Sequence, residues 1–198
     1  MATNELLGSP ADMATLISIA SEIEGHPDNI APALLGGFVL SSTETDGSVT
    51  TRKLEWPNEW KITMCVPDFE LPTSISRSVL PESISLKDAA FNARRTAMMI
   101  EAIHSKDAEL FKLSMQDKLH QPYRTKLVPG LDEIMNNLKH TKGVIGTVLC
   151  GAGPSVLIIY NGTNVSEIKE IVSNSWNYFN VKCNFMNLPI EKEGAVIL

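Results

Sequence analysis

The sequence predicts an α+β protein whose larger part, residues 59–198, is a ferredoxin-like domain. The elements predicted there run strand, helices, strand, strand, helix, strand, which is the order of the split β-α-β fold. The composition is that of a globular protein, with 43% hydrophobic and 20% charged residues. A chain of 198 residues is also long enough to bury a sizeable core.

The first 58 residues predict two helices and a β-hairpin. Residues 1–7 resemble the end of a helix, which Gly8-Ser9-Pro10 stops. Residues 12–24 predict an amphipathic helix, because Asp12 is a good N-cap and apolar residues follow at helical spacing. The hairpin is predicted from strands at 38–40 and 50–55, which a polar turn at 41–50 connects. These elements form only part of a fold and need a partner sheet.

The elements of the larger part follow from hydrophobic period and from proline and glycine punctuation. A β-rich run at 61–66 stops at Pro67, and a short helix is predicted over 73–80 before Pro81. Apolar residues at helical spacing predict helices over 86–104, 107–119 and 130–140. The last elements are two strands, a helix and a strand, over 144–149, 155–160, 165–179 and 181–188.

Charge, hydropathy and cysteine content narrow the function classes. The net charge is −6 and no basic face is visible, so we expect no nucleic-acid partner. No apolar run approaches the ~20 residues of a membrane span, and no signal peptide is visible, so we expect no membrane contact. The three cysteines lie far apart without a CxxC motif, which fits a reducing compartment. We therefore expect a cytoplasmic protein, or an organelle protein without its transit peptide.

Carboxylates, an imidazole and an amide gather where the second helix ends, in Glu22-Ile-Glu-Gly-His-Pro-Asp-Asn29. One of the two glutamates could hold Mg²⁺, which prefers oxygen ligands. The alternative is a polar cap, in which Gly25 ends the helix, Pro27 stops it, and Asp28 or Asn29 begins the next turn. Residue chemistry alone favours the capping interpretation.

A glycine turn, Gly151-Ala-Gly-Pro-Ser155, joins two β-rich runs. Its two glycines allow the backbone to approach a ligand and to point several N–H groups in one direction. Such a turn can line a phosphate site. It can equally be a tight connection between strands, and the motif alone favours that second interpretation.

Two separated arginines lie in polar surroundings, Arg77 in the segment 73–81 and Arg124 in the segment 117–129. A guanidinium can bind both oxygens of a carboxylate, so the pair suits an acidic substrate. The alternative for both is a solvated surface arginine.

Taken together, these segments resemble the GHMP family of small-molecule kinases. The resemblance runs from residue 1 to about residue 190, in the family's order. It rests on Glu24-Gly-His-Pro-Asp-Asn-Ile-Ala-Pro-Ala-Leu-Leu-Gly-Gly-Phe38, Thr73-Ser-Ile-Ser-Arg-Ser-Val-Leu-Pro81, Asp117-Lys-Leu-His-Gln-Pro-Tyr-Arg-Thr-Lys-Leu-Val-Pro129 and Gly151-Ala-Gly-Pro-Ser155. Within the family it points to kinases that transfer the γ-phosphate of ATP to the hydroxyl of L-homoserine, a step toward threonine.

The resemblance implies roles for individual residues. Glu24 would help to hold Mg²⁺, and Arg77 and Arg124 would bind the substrate carboxylate. Asn29, His26 and Arg77 would serve catalysis. The implied substrate-binding residues are His26, Asp28, Asn29, Thr73, Arg77, Arg124, Gly151 and Gly153.

Asn29 bears on the implied mechanism. Several relatives carry an aspartate there that can act as a base, whereas an amide cannot take a proton at neutral pH. Catalysis would then rest on positioning and on neutralising the charge of the moving phosphoryl group. His26 is the alternative base.

The sequence departs from the family pattern in one respect. The family's phosphate loop, a PxxxGLGSS-type segment, is not found upstream of the helix in which these residues begin. We therefore expect an incomplete N-terminal piece of the GHMP fold over 1–58, a whole C-terminal domain over 59–198, and little or no ATP binding, with no ATP-binding residue assigned. Open alternatives are another GHMP kinase for mevalonate-type alcohols and a non-catalytic module that binds an amino acid or a partner protein. A homodimer is also open.

Overall fold

The computed structural model describes residues 1–162 and 165–197, which divide into two compact units. The first unit contains residues 1–56 and the residues from Ile190 on, and the second contains Pro57–Pro189. The predicted division at residue 58 assigned the C-terminal residues to the second domain. They pack instead on the first unit, where the Gly37 N–H donates to the Glu191 carbonyl at 2.6 Å and the Lys53 ammonium donates to the Lys192 carbonyl.

The first unit consists, in its described residues, of short helices and one antiparallel strand pair. These are α1 (Ala2–Leu6), α2 (Met13–Glu24), α3 (Ile30–Leu35), β1 (Phe38–Thr43) and β2 (Val49–Leu54). The Asp12 side chain caps α2 by accepting a hydrogen bond from the Thr15 N–H at 2.8 Å, so the predicted N-cap is confirmed. The apolar run at 30–35, for which no element was predicted, forms α3.

The second unit is built on a four-stranded antiparallel sheet with the strand order β4-β5-β3-β6. The strands are β3 (Trp60–Pro67), β4 (Val144–Leu149), β5 (Val156–Asn161) and β6 (Cys183–Leu188). The register places Cys65 of β3 beside Val156 of β5 and Phe185 of β6. This strand order, with helices before β4 and between β5 and β6, is the ferredoxin-like arrangement that the sequence predicts.

The helices of the second unit lie between β3 and β4 and between β5 and β6. They are α4 (Thr73–Ser78), α5 (Leu86–Ser105), α6 (Ala108–Ser114), α7 (Gln121–Arg124), α8 (Leu131–Lys139) and α9 (Val165–Tyr178), with a 3₁₀ turn at Thr125–Leu127. The prediction of one helix over 107–119 is wrong in its second half. The Asp117 carboxylate takes the backbone N–H groups of residues 119–121, and this local capping competes with helix continuation.

The core of the second unit lies between the sheet and the helices α8 and α9. Helix α8 contributes Leu131, Ile134 and Leu138, helix α9 contributes Ile168, Val172 and Trp176, and β5 contributes Val156, Ile158 and Tyr160. Spacings of three and four residues on α8, and of four residues on α9, give each helix a single apolar stripe toward the sheet. Within the described ranges, no helix is long and apolar enough to cross a bilayer.

Candidate functional site

Three segments that are far apart in the sequence meet around the guanidinium of Arg124. Its Nε donates to the Ser76 carbonyl at 3.2 Å, and its Nη1 donates to the Gly151 carbonyl at 3.3 Å. The Ser76 hydroxyl donates to the Ala152 carbonyl at 2.8 Å and closes the group. We call Ser76, Arg124, Gly151 and Ala152 the arginine cluster. It brings together the segments 73–81, 117–129 and 151–155, which the sequence analysis selected separately.

Helix α4 supplies the Ser76 side of the arginine cluster. Pro72 occupies the N-cap of this helix, and Thr73 and Arg77 lie one turn apart on its exposed side. Ser76 is fully buried and faces the glycine turn. The sequence analysis gave Ser76 no role. A small polar residue between two proposed substrate residues was the available signal, and only the fold shows which way it faces.

The glycine turn connects β4 to β5 and meets the arginine cluster through its carbonyl groups. The Cys150 N–H donates to the Ser155 carbonyl at 2.8 Å, and the Gly153 N–H donates to the Cys150 carbonyl at 3.0 Å. Gly153 has φ +86°, and a Cβ there would lie 3.2 Å from a Leu149 methyl group. The turn is thus tight and suited to glycine, and the contacts it makes with the cluster use carbonyl oxygens rather than N–H groups.

The cluster leaves Arg124 able to bind a further anion. A guanidinium carries five N–H donors, and the contacts with Ser76 and Gly151 use two of them. Three N–H groups of Arg124 remain, including both on Nη2. The end-on geometry that binds a carboxylate uses one N–H of each Nη. Arg124 is therefore held in place by backbone carbonyls while it keeps its anion-binding edge.

The Asp117 carboxylate holds the segment that leads to Arg124. It accepts hydrogen bonds from the backbone N–H groups of Leu119 and Gln121, both at 2.7 Å, and from that of His120 at 3.0 Å. The Asn92 side chain donates a further bond at 2.7 Å. Burial alone would raise the pKa of Asp117, but these hydrogen bonds outweigh burial and leave the pKa below its ordinary value.

The lowered pKa of Asp117 predicts a pH-dependent stability. A carboxyl group with a folded-state pKa below the unfolded one stabilises the fold above the unfolded pKa, near 3.8, and this contribution fades as the pH falls through the folded pKa. Asp117→Asn should lower the free energy of unfolding at pH 7 by roughly 1–3 kcal/mol. Urea unfolding at pH 7 and pH 3 should show that the free energy of unfolding falls less between the two pH values in the variant than in the wild type. An equal loss in both would contradict the assignment.

The segment Glu24 to Asn29 connects α2 to α3 in the first unit. Gly25 ends α2 in the left-handed conformation, as the capping interpretation predicts. Asn29 occupies the N-cap of α3, yet its side chain makes no capping hydrogen bond. His26 Nδ1 contacts the Asp28 carboxylate, and His26 Nε2 lies 4.0 Å from Glu24 Oε1. Capping therefore explains Gly25 but leaves the Asn29 amide on the surface.

One carboxylate of this segment could contribute to a magnesium site. No group of three or more potential ligands among His, Cys, Asp and Glu lies together in the part of the chain that the structure describes. Proteins usually bind Mg²⁺ through one or two carboxylates, with waters and substrate phosphates completing the shell. The Glu24 side chain, which is half exposed, fits a single-carboxylate contribution.

Two open cavities lie in the second unit near the segments that form the cluster. One of about 600 Å³ has Thr73, Pro154 and Ser155 in its wall. The other, of about 620 Å³, has Asp117 and Gln121 in its wall. Arg124 lines neither cavity, so the cluster itself lies outside both of them.

The position of Cys150 predicts its reactivity. Cys150 is exposed in the glycine turn, whereas Cys65 is buried and burial raises its pKa to about 12. Burial also raises the pKa of Cys183. Because the thiolate is the reactive form, one thiol should react rapidly with N-ethylmaleimide, and peptide mapping should place the label on Cys150. Three thiols should react in denatured protein, and rapid labelling of Cys65 in native protein would contradict this account.

The chain matches known proteins in sequence. Residues 99–177 match the family described as GHMP kinases C terminal. Homoserine kinase of Moorella thermoacetica is 38% identical over 99% of this chain and 65% of its own length. Homoserine kinase of Aquifex aeolicus is 43% identical over 91% of this chain and 60% of its own length. The chain spans less than two thirds of these relatives.

The chain therefore carries the C-terminal domain of the GHMP kinases. In structure, the chain resembles homoserine kinase from Cytophaga hutchinsonii, with a TM-score of 0.85 and 27% identity over 97% of this chain and 62% of that one. It also resembles a phosphomevalonate kinase of Streptococcus pneumoniae, with a TM-score of 0.67 and 12% identity over 94% of this chain and 65% of that one. The second likeness concerns the fold alone.

Proposed function

We propose that this chain supplies the homoserine-binding residues of a homoserine kinase, which transfers the γ-phosphate of ATP to the homoserine hydroxyl. The arginine cluster carries the proposal, because it presents a fixed guanidinium edge where the segments 73–81 and 117–129 meet the glycine turn. The sequence relatives support it, since proteins named homoserine kinase are 34–43% identical over nearly the whole chain.

In this proposal Arg124 binds the α-carboxylate of homoserine through its Nη groups. Charge-assisted, bidentate contacts of this kind are stronger and more directional than a contact to a single charge. Arg77 adds a second positive charge from α4, and Thr73 adds a hydroxyl on the same exposed side. Gly151 and Gly153 allow the glycine turn to lie close to α4, so that the turn forms one wall beside the substrate.

The segment at the start of α3 provides the groups proposed for the amino-alcohol part of homoserine. Asp28 orients the His26 ring through Nδ1, as a carboxylate commonly does for a histidine. Asn29 offers an amide that can position the hydroxyl but cannot remove its proton. Transfer would then depend on alignment of the hydroxyl with the phosphate, with His26 as the alternative base.

ATP and Mg²⁺ complete the proposed reaction. When bound, ATP would supply the phosphoryl group and Mg²⁺ would neutralise charge on the phosphates. Glu24 is the residue proposed to contribute to the metal site. We assign no residue of this chain to ATP.

Homoserine-dependent ADP release tests the proposal. It should be measured with Mg²⁺ on two proteins. The first is the 198-residue chain, and the second is the same chain joined to the part of the Moorella thermoacetica enzyme that has no counterpart in it. We call the second protein the complemented protein. It should phosphorylate L-homoserine and leave mevalonate unmodified. Preference for mevalonate would favour another GHMP kinase, and homoserine binding without turnover in either protein would favour a non-catalytic module.

We also propose a cytoplasmic location. Cys65, Cys150 and Cys183 are all free thiols, and free thiols persist in a reducing compartment. Fractionation of the source cells with an antibody against the chain would test this location.

A further inference from the structure

We propose that Asp117 is a positioning residue that fixes α7 and so presents Arg124 to the carboxylate of the substrate. This inference rests on the proposed function, because it assigns Asp117 a task only if Arg124 binds homoserine. In the sequence, Asp117 stands out only as part of the segment 117–129. Its carboxylate forms no hydrogen bond with the Arg124 side chain, so it would act through the backbone between them.

Four hydrogen-bond donors converge on the Asp117 carboxylate. One oxygen accepts from Asn92 Nδ2 and the Leu119 N–H, and the other accepts from the His120 and Gln121 N–H groups. The side chain is only 16% exposed. A carboxylate that accepts this many bonds in a largely buried place is firmly held, and it fixes the backbone that donates to it.

The backbone that Asp117 holds is bonded directly to Arg124. Helix α7 is only four residues long, and so short a helix has no stability of its own. The backbone N–H of Arg124 donates to the His120 carbonyl at 3.1 Å, and His120 is itself held by Asp117. The position of Arg124 therefore depends on a turn whose first residues are anchored by one carboxylate.

The same turn is also bonded to the end of β4, next to the glycine turn. The Gln121 side chain accepts a hydrogen bond from the Leu149 N–H at 3.2 Å, at the end of β4. Leu149 directly precedes the Cys150–Ser155 connection that carries the Gly151 carbonyl. By fixing Gln121, Asp117 also maintains the register between α7 and the turn that binds Arg124 Nη1.

An isosteric change separates the charge of Asp117 from its shape. In Asp117→Asn the amide keeps one acceptor oxygen but turns an NH₂ group toward backbone N–H donors, which cannot bond to it. We expect the Nε–H resonance of Arg124 to shift or broaden in a ¹H–¹⁵N spectrum of the ligand-free chain. Arg124→Lys assigns that resonance by its loss. This readout reports the position of Arg124 without any substrate.

The same variant should weaken homoserine binding by roughly tenfold or more, since a misplaced binding group can cost that much. In the complemented protein the KM for homoserine should rise while the KM for ATP stays unchanged. Asp88→Asn is the matched control, because that carboxylate contacts Lys118 and Ser85 rather than α7. It should leave both the Arg124 resonance and homoserine binding unchanged.

If Asp117→Asn fails to fold, Asn92→Ala gives a milder test, because it removes one of the four donors to the Asp117 carboxylate. It should change the Arg124 resonance and the homoserine affinity in the same direction but by less. An unchanged Arg124 resonance in a folded variant overturns the inference. A moved resonance with unchanged homoserine affinity overturns it as well. Failure of the wild type to bind homoserine refutes the proposed function instead, and the two failures are distinguishable.

Discussion

Replacing Arg124 with alanine is expected to raise the dissociation constant for L-homoserine by about 30-fold or more, which corresponds to ~2 kcal/mol for a lost charge-assisted contact. The guanidinium is held by the Ser76 and Gly151 carbonyls and keeps three N–H donors for the substrate. Without it the carboxylate must be desolvated without its partner. Isothermal titration of the 198-residue chain measures the effect directly.

Two further variants make the Arg124 result specific. Lys126→Ala removes an exposed cation two residues away and should leave the affinity within a factor of two, because exposed charges contribute little. Arg124→Lys keeps the charge but cannot form a bidentate contact, so its affinity should lie between those of the wild type and the alanine variant. Unchanged affinity in a folded Arg124→Ala protein would remove the proposed role.

Replacing Trp176 with alanine is expected to lower the free energy of unfolding by about 3–5 kcal/mol. Trp176 is fully buried among the side chains that α8, α9 and the sheet share, and its Nε1 donates to the Pro129 carbonyl at 3.0 Å. The substitution leaves a large cavity and an unpaired carbonyl. Urea unfolding followed by far-ultraviolet circular dichroism measures the loss.

Tyr178 provides the matched control on the same helix. Its side chain is 81% exposed, so Tyr178→Ala should change the free energy of unfolding by less than about 0.5 kcal/mol. Trp176→Phe keeps most of the side-chain volume, so its loss in free energy of unfolding should lie between those of Trp176→Ala and Tyr178→Ala. Equal effects at the two positions would contradict the placement of the core between α8, α9 and the sheet.

The sequence predicts well those parts of the fold that depend on local pattern. Helix α2 was predicted with its N-cap, because Asp12 and the apolar residues after it are close in the sequence. The strands β3, β4, β5 and β6 were predicted within about two residues, since each is an apolar run with clear ends. The order of these elements then sufficed for the ferredoxin-like fold.

The elements that were missed depend on contacts between distant residues. The end of α6 and the existence of α7 follow from the Asp117 carboxylate, whose capping competes with the helical period. Residues 190–197 pack on the first unit through one hydrogen bond from the Gly37 backbone N–H and one from the Lys53 side chain, and neither contact carries a signal in the sequence.

The site was predicted in its segments but not in its contacts. The motif resemblance selected Arg124 and Gly151 as separate candidates, and the structure joins them through a side chain-to-carbonyl bond across 27 residues. Ser76 joins them from a third segment, although its residue type gives no hint of a partner 76 residues away. The roles of all the proposed site residues, Arg124 and the first-unit segment Glu24 to Asn29 included, remain predictions.

Titration of the 198-residue chain with L-homoserine and with 3-amino-1-propanol, which lacks only the carboxylate, tests the central claim most directly. If the arginine cluster binds the carboxylate, homoserine should bind at least about 30-fold more tightly, and Arg124→Ala should abolish the difference. Equal affinity for the two ligands, or a difference that persists in Arg124→Ala, would contradict the account.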